Sequence, residues 1–232
     1  MALNTIIQQL TTGLAMGCIY SLVALGYTFI WNAVGIINLA QGDFVTIAAF
    51  AYAATFSNQL GLGFLPALIA VIMLMSTFGM SAERVVYSPL KDAHPRTVML
   101  STLALGILLS NLAIIIWGPY PVTTAGPFGQ RLIRVGEVSI SMQNLFVILV
   151  TLVLLVIQWL LFQRTTLGKT MRAVAQDREA ATLMGIETDR TISITFAYSS
   201  SLAGIAGILL APIFMVSVDL ASVGMKGFAS CV

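Results

Sequence analysis

The 232-residue chain is short of charge: Asp, Glu, Lys and Arg together make up 9% of it, where a soluble domain carries about a quarter. The shortage is uneven. Before Glu83 the one charged side chain is Asp43, and the stretches 97–130, 138–163 and 191–218 hold none. With 58% hydrophobic residues and a mean hydropathy of +0.96, the chain cannot build a water-facing shell. Each uncharged stretch exceeds the roughly 20 apolar residues that a membrane helix needs. Histidine is limited to His94 and cysteine to Cys18 and Cys231, so neither a metal spacing nor a disulfide framework is present.

Other absences exclude whole classes of function. The basic residues are scattered, without a basic run or interleaved aromatics, so nucleic acid is not a partner. No Gly-x-x-x-x-Gly-Lys-Ser/Thr loop cradles a nucleotide phosphate. The apolar runs hold no histidine and no Ser/Lys pair, so no catalytic residue, metal ligand or cofactor site is expected, and the chain is not read as an enzyme. Residues 1–9 lack the basic start of a cleavable signal peptide. The apolar runs are continuous and about twice the length of β-barrel segments, which alternate over about ten residues.

What the sequence does contain is six apolar runs, at 10–31, 35–57, 64–82, 97–117, 142–162 and 192–216. They predict an all-α, polytopic membrane protein of about six transmembrane helices, forming a single domain over residues 1–232. Only residues 32–34 separate the first two runs, so 35–57 either spans the bilayer or is a broken, re-entrant element. Residues 117–142 hold Gly118-Pro119-Tyr120-Pro121, Gly126-Pro127 and Gly129, the signs of a loop or a partial hairpin. The loop 83–96 carries Arg84, Lys91 and Arg96, and the loop 163–190 carries Arg164, Lys169, Arg172, Arg178 and Arg190. The opposite side has Arg131, Arg134 and Lys226. Eight basic residues against three place both loops in the cytoplasm and the amino terminus outside.

Small residues recur at four-residue spacing as Gly13, Gly17 and Ser21, and again as Ser199, Ala203, Gly207 and Ala211. In lipid, close approach of backbones at such faces supplies the packing. Gly17→Leu is accordingly expected to force helices apart and lower membrane accumulation.

Two polar places stand out. The first is Asn38-Leu39-Ala40-Gln41-Gly42-Asp43, opening an apolar run. Polar side chains at membrane depth mark a cavity, a pathway or a partner, and Gly42 permits a backbone break there. A second reading has Asp43 cap a helix beginning at Phe44, close to the cytoplasmic surface. Both stand on the sequence alone.

The second is residues 165–190, the longest charged loop, whose apolar residues keep helical spacing. Met171, Val174 and Ala175 form one small face, and Ala180, Leu183 and Met184 another. Asp177 suits an N-cap, Glu179 a first turn, and Gly185 the position after a helix end. Two short helices outside the membrane follow. Their apolar faces fit either a docking partner or the surface of the lipid bilayer.

Glu179-Ala180-Ala181, with Gly185 following, resembles the EAA coupling loop of ABC importer permeases. The wider pattern is similar to one branch, the high-affinity branched-chain amino acid permeases. It includes Arg172-Ala173, Gly185-Ile186, Ala203-Gly204-Ile205-Ala206-Gly207, the run from Gly13 to Gly26, and the run from Ile36 to Phe44. This resemblance spans almost the whole chain. It implies a translocation subunit in the bacterial cytoplasmic membrane, working with a second permease subunit, two ATP-binding subunits and a periplasmic substrate-binding protein. Glu179, Ala180, Ala181, Leu183, Met184 and Gly185 would meet the ATPase. Asn38, Gln41, Gly42 and Asp43 would lie at a broken-helix pathway. Members of that family run on past the equivalent of Lys226–Ala229, so this chain is expected to be a truncated or short form. Permeases for urea and short amides in the same family are the alternative. From other classes, a secondary transporter would rely on Asp43 and Asp219, and a structural subunit on neither. Co-elution of an ATPase separates those classes.

The charge asymmetry makes a direct prediction. In a cysteine-free background, Lys91→Cys and Lys169→Cys should resist membrane-impermeant thiol reagents applied to intact cells. Ready labelling of either from outside would reverse the orientation.

Overall fold

Lipid offers no hydrogen-bond partner to a peptide group, so apolar runs cross it as helices that satisfy their own backbones. A computed structural model describes residues 2–231, apart from Asp92, Ala125, Gln130, Gly136 and Glu137. Among the described residues, five helical segments are long and apolar enough to cross a membrane: Ile6–Val34, Phe64–Leu90, Pro95–Trp117, Met142–Arg164 and Thr188–Leu210. The first belongs to α1 (Ala2–Val34). The second is α3 (Phe64–Ala82), prolonged by a π turn at Glu83–Tyr87 and a 3-10 turn at Ser88–Leu90. The remaining three are α4 (Pro95–Trp117), α5 (Met142–Arg164) and α8 (Thr188–Leu210). The sixth expected span is α2 (Gln41–Phe50), which continues as a π helix over Ala51–Gln59. It is enclosed by α4, α8 and α9 (Ala221–Ala229), so its polar ends need not face lipid.

At one end of the bundle a cluster of Ile30, Ile36, Tyr87, Val98, Val174, Ala181, Ile192 and Phe196 gathers the end of α1, the α3–α4 connection and two short helices. These are α6 (Thr166–Gln176) and α7 (Arg178–Leu183). Both basic loops therefore share that end. At the other end, β1 (Leu132–Val135) and β2 (Val138–Ser141) form an antiparallel hairpin, and Val122 pairs with Val216.

The core is α8, buried on nearly every side. Small residues make this possible by letting neighbouring backbones approach. Towards α3, Gly79 meets the Phe196 carbonyl, and the Ser76 and Ser201 hydroxyls pair at 2.7 Å. Towards α2, a Cβ on Gly207 would stand 2.9 Å from the Ala49 amide nitrogen; Ala203 and Ala211 on the same row are buried too. Ser21 sits part-buried on α1, its hydroxyl turned to the Cys18 carbonyl of its own helix at 2.7 Å.

Three expectations need correcting. Gly13 and Gly17 do not form a helix contact among the described residues. Both are exposed, with nothing within 4 Å of where a Cβ would stand, and Leu10 and Leu14 beside them are exposed as well. The packed side of α1 instead runs through Ile19, Val23, Gly26 and Ile30. Four-residue spacing marks a face without choosing it, and α1 is apolar all round, so hydrophobicity could not choose either. Second, the run 35–57 is not helical from its start: residues 35–40 are not helical, which agrees with the broken reading of that run. Gly35 closes α1 at φ +70, and α2 starts only at Gln41. Third, the α3–α4 loop is short, because the helix passes through Glu83 and Arg84 and ends at Leu90.

These contacts predict that Gly207→Val overpacks the α2–α8 seam, costing about 1–3 kcal/mol. It should lower the unfolding temperature of the purified protein, whereas Gly17→Leu should leave that temperature unchanged. A Gly207→Val protein that melts with the unaltered one would overturn this assignment of the seam.

Candidate functional site

The break before α2 lies deep in the bundle. Gln41 meets Ser199, at the midpoint of the 23-residue α8, and the Asp43 carboxylate crowds Gly106, at the midpoint of the 23-residue α4. Backbone groups freed there need partners, and the residues of the segment supply them. The Leu39 amide donates to Thr102 Oγ1 at 3.1 Å, and the Ala40 amide to Asn38 Oδ1 at 3.2 Å. The Gln41 amide donates to the Asn38 carbonyl at 3.2 Å. Gln41 Nε2 donates to the Ser199 carbonyl at 3.3 Å, and the Ser199 hydroxyl donates to the Gly26 carbonyl at 2.9 Å. Asn38 and Gln41 are buried.

Asp43 is not the N-cap. It occupies the first turn of α2, where the helix dipole favours a carboxylate, and Ser110 donates to its Oδ1 at 2.5 Å. The capping reading fails because the helix starts at Gln41, three residues earlier than Phe44, and with it goes the placement of Asp43 near the membrane surface. Gly42 is pressed against a second helix start. A Cβ there would collide with the Ala221 carbonyl and stand 3.0 Å from Gly224 Cα, in α9. The chain dips from the Val122–Val216 pairing through the 3-10 turn Val218–Leu220 to reach this point. Two helix N-termini thus meet midway through the bundle, an arrangement that membrane transporters use around substrate and ion sites.

The other site is the α6–α7 segment at the basic end. Thr165 caps α6 by accepting from the Gly168 amide at 3.2 Å. Met171 and Val174 turn into the bundle, while Ala175 is exposed. Asp177 Oδ1 accepts from the Ala180 amide at 2.9 Å and caps α7. At the far end the Gly185 amide donates to the Thr182 carbonyl and the Ile186 amide to the Ala181 carbonyl, each at 3.0 Å. That pattern is a Schellman motif, and it holds Gly185 at φ +82. Ala181 is turned inward to the cluster around Tyr87 and Ile192 and anchors the helix instead of presenting it. Glu179 and Ala180 are exposed, and Leu183 and Met184 stand 89% and 84% exposed. Asp189 holds the segment laterally, pairing with Arg178 at 2.8 Å and Lys91 at 3.5 Å.

Sequence reasoning missed Thr102, Ser110 and Ser199 as partners of the break, because single hydroxyls in apolar helices carry no pattern. It also missed Glu83. The signal there was its position directly after an unbroken apolar run.

The sequence matches the family described as "Branched-chain amino acid transport system / permease component" over residues 9–232. It is 29% identical to the high-affinity branched-chain amino acid transport system permease protein LivH of Escherichia coli, over 97% of this chain and 78% of that protein. It is 31% identical to BraD of Pseudomonas aeruginosa, a permease of the same description, over 88% of this chain and 70% of that one. A probable branched-chain amino acid permease of Methanocaldococcus jannaschii is 27% identical over 82% of this chain and 61% of its own length. No solved structure matches the chain. A family match running from α1 to α9, over a polytopic helical bundle of this kind, places the chain in the branched-chain amino acid transport system permease family.

Proposed function

We propose that the chain is the membrane-spanning subunit of an ATP-driven importer for branched-chain amino acids in the bacterial cytoplasmic membrane. It works with a second permease subunit, two ATP-binding subunits and a periplasmic substrate-binding protein. One observation carries the coupling role: α7 is fixed to the bundle by Ala181 while Leu183 and Met184 project from it almost fully exposed. Two large apolar side chains held in water on a rigid turn are a feature expected to be covered by another protein. Eight basic residues at that end favour the cytoplasm, where an ATPase resides.

The break at Asn38, Gln41, Gly42 and Asp43 supplies the second half of the reading. Helices that start midway leave polar backbone ends where a pathway crosses, and they give the bundle an element that can shift between two arrangements. Movement of α7, driven by ATP binding and hydrolysis on the partner, would reach this break through the cluster that joins Ala181 to Ile36.

Two substitutions test coupling separately from folding. Gly185→Val strains a left-handed position that a β-branched residue tolerates poorly, and so misplaces Leu183 and Met184. Leu183→Asp leaves the turn intact and changes only the exposed face. Both should reach normal membrane abundance, retain less ATPase on co-purification and lose about tenfold or more of ATP-dependent leucine uptake. Full ATPase retention with full uptake in both variants would remove the coupling role from α7.

A further inference from the structure

Glu83 is 5% exposed, yet among the described residues it forms no ion pair. Among those residues its side chain has one hydrogen-bond partner, the Ser193 hydroxyl, which donates to Oε2 at 2.7 Å. Removing a carboxylate from water is costly unless a cation or several donors replace the water, and an ionisable group inside a membrane helix marks a functional site by default. Glu83 is not sealed in. It lines a cavity of about 860 Å³ between the inner part of α3 and the start of α8. Arg84 and Arg190 line it too, with Asp189, whose carboxylate is already paired with Arg178 and Lys91, and Met80 and Ile194 supply apolar surface. Arg84 is without an ion-pair partner among the described residues, and Arg190 has a loose, exposed one, Glu187, at 3.5 Å. Such an exposed pair holds the guanidinium weakly.

We infer that this cavity is an inner-side binding site for the zwitterion of an aliphatic α-amino acid. The ammonium group pairs with Glu83, a guanidinium of Arg84 or Arg190 takes the carboxylate, and the side chain lies on Met80 and Ile194. Ser193 orients the Glu83 carboxylate. The chemistry matches on three counts: a buried anion with no ion pair among the described residues, guanidinium groups lining the same cavity, and apolar surface. An anionic lipid headgroup or a free anion would satisfy the arginines and leave Glu83 unmatched. The inference rests on the transport reading above and adds where the transported molecule is held before release.

The test measures binding to the detergent-purified permease–ATPase complex without binding protein, using three probes. L-leucine carries both charges, 3-methylbutylamine only the amine, and 4-methylpentanoate only the carboxylate. Glu83→Gln keeps the shape and the Ser193 bond while removing the charge. It should weaken leucine and the amine by about tenfold or more, the scale of a charge-assisted hydrogen bond, and spare the carboxylate. Combined Arg84→Gln and Arg190→Gln should produce the reverse selectivity. Equal binding of all three probes by Glu83→Gln and the unaltered complex would overturn the site. So would a uniform loss of all three accompanied by reduced abundance, which marks a structural role. Uptake by the unaltered complex is scored independently. If it takes up no leucine, the transport reading fails; if it transports but the variants show no charge selectivity, only the site fails.

Discussion

The structure depends on one constraint, that no peptide group may be left without a partner where water is absent. An unpaired amide in hydrocarbon costs several kcal/mol, so a helix can begin midway through the bundle only if its surroundings supply acceptors. The residues before α2 meet that demand locally, through Asn38 and its own carbonyl, and at a distance through Thr102. Gln41 is buried at no measurable exposure because Ser199 and the carbonyl it bonds complete its surroundings. The polar residues that look expensive in the sequence are those that make the break possible.

Close packing around the break follows from the same need. Gly26, Gly42, Gly106, Gly207 and Gly224 stand where another atom occupies the space a Cβ would take. They bring α1, α4, α8 and α9 near enough for side-chain hydroxyls and amides to reach the break. Dispersion across these seams also supplies the cohesion that the hydrophobic effect cannot provide between helices in lipid. Contacts this tight are not continuously deformable. A displaced α7 carries Ala181 with it, and the cluster that holds Ala181 also holds Ile36, two residues before Asn38. The shared packing therefore gives α7 and the break a contiguous contact route.

Much of this was legible in the sequence, and the remainder failed for identifiable reasons. Uncharged runs located the crossing helices, since length and hydrophobicity are what the bilayer selects. Asp177 and Gly185 marked α7 because capping is local chemistry: a carboxylate reaching an amide three residues on, and a left-handed φ that glycine accepts. Which face of α1 was packed was not legible. Gly13 and Gly17 have the spacing of a contact, and Gly26 has the contact, and nothing within α1 separates them. In the capping reading the start of α2 was misplaced by three residues because Asp43 is a plausible cap on any short-range criterion. The competing arrangement depends on Thr102, Ser110 and Ser199, more than 50 residues away. The whole extent of the α3 helix was hidden as well, since a charged pair such as Glu83-Arg84 reads as the start of a loop.

Asp43 and Glu83 show how two acidic residues in one apolar bundle come to serve different ends. Asp43 sits at a helix N-terminus with a hydroxyl donor at 2.5 Å, so fixed dipoles from within the chain face its carboxylate. A group satisfied in that way holds its neighbourhood in one shape. Glu83 has one hydroxyl and an open cavity. An ammonium group that enters that cavity gains more there than one in water gains from a solvated carboxylate. The affinity must still be modest for the molecule to leave, and a site at the inner edge, open to solvent and flanked by exposed arginines, keeps it so. The central break thus suits changes of shape and the inner cavity suits transient holding, with α8 as the wall common to both.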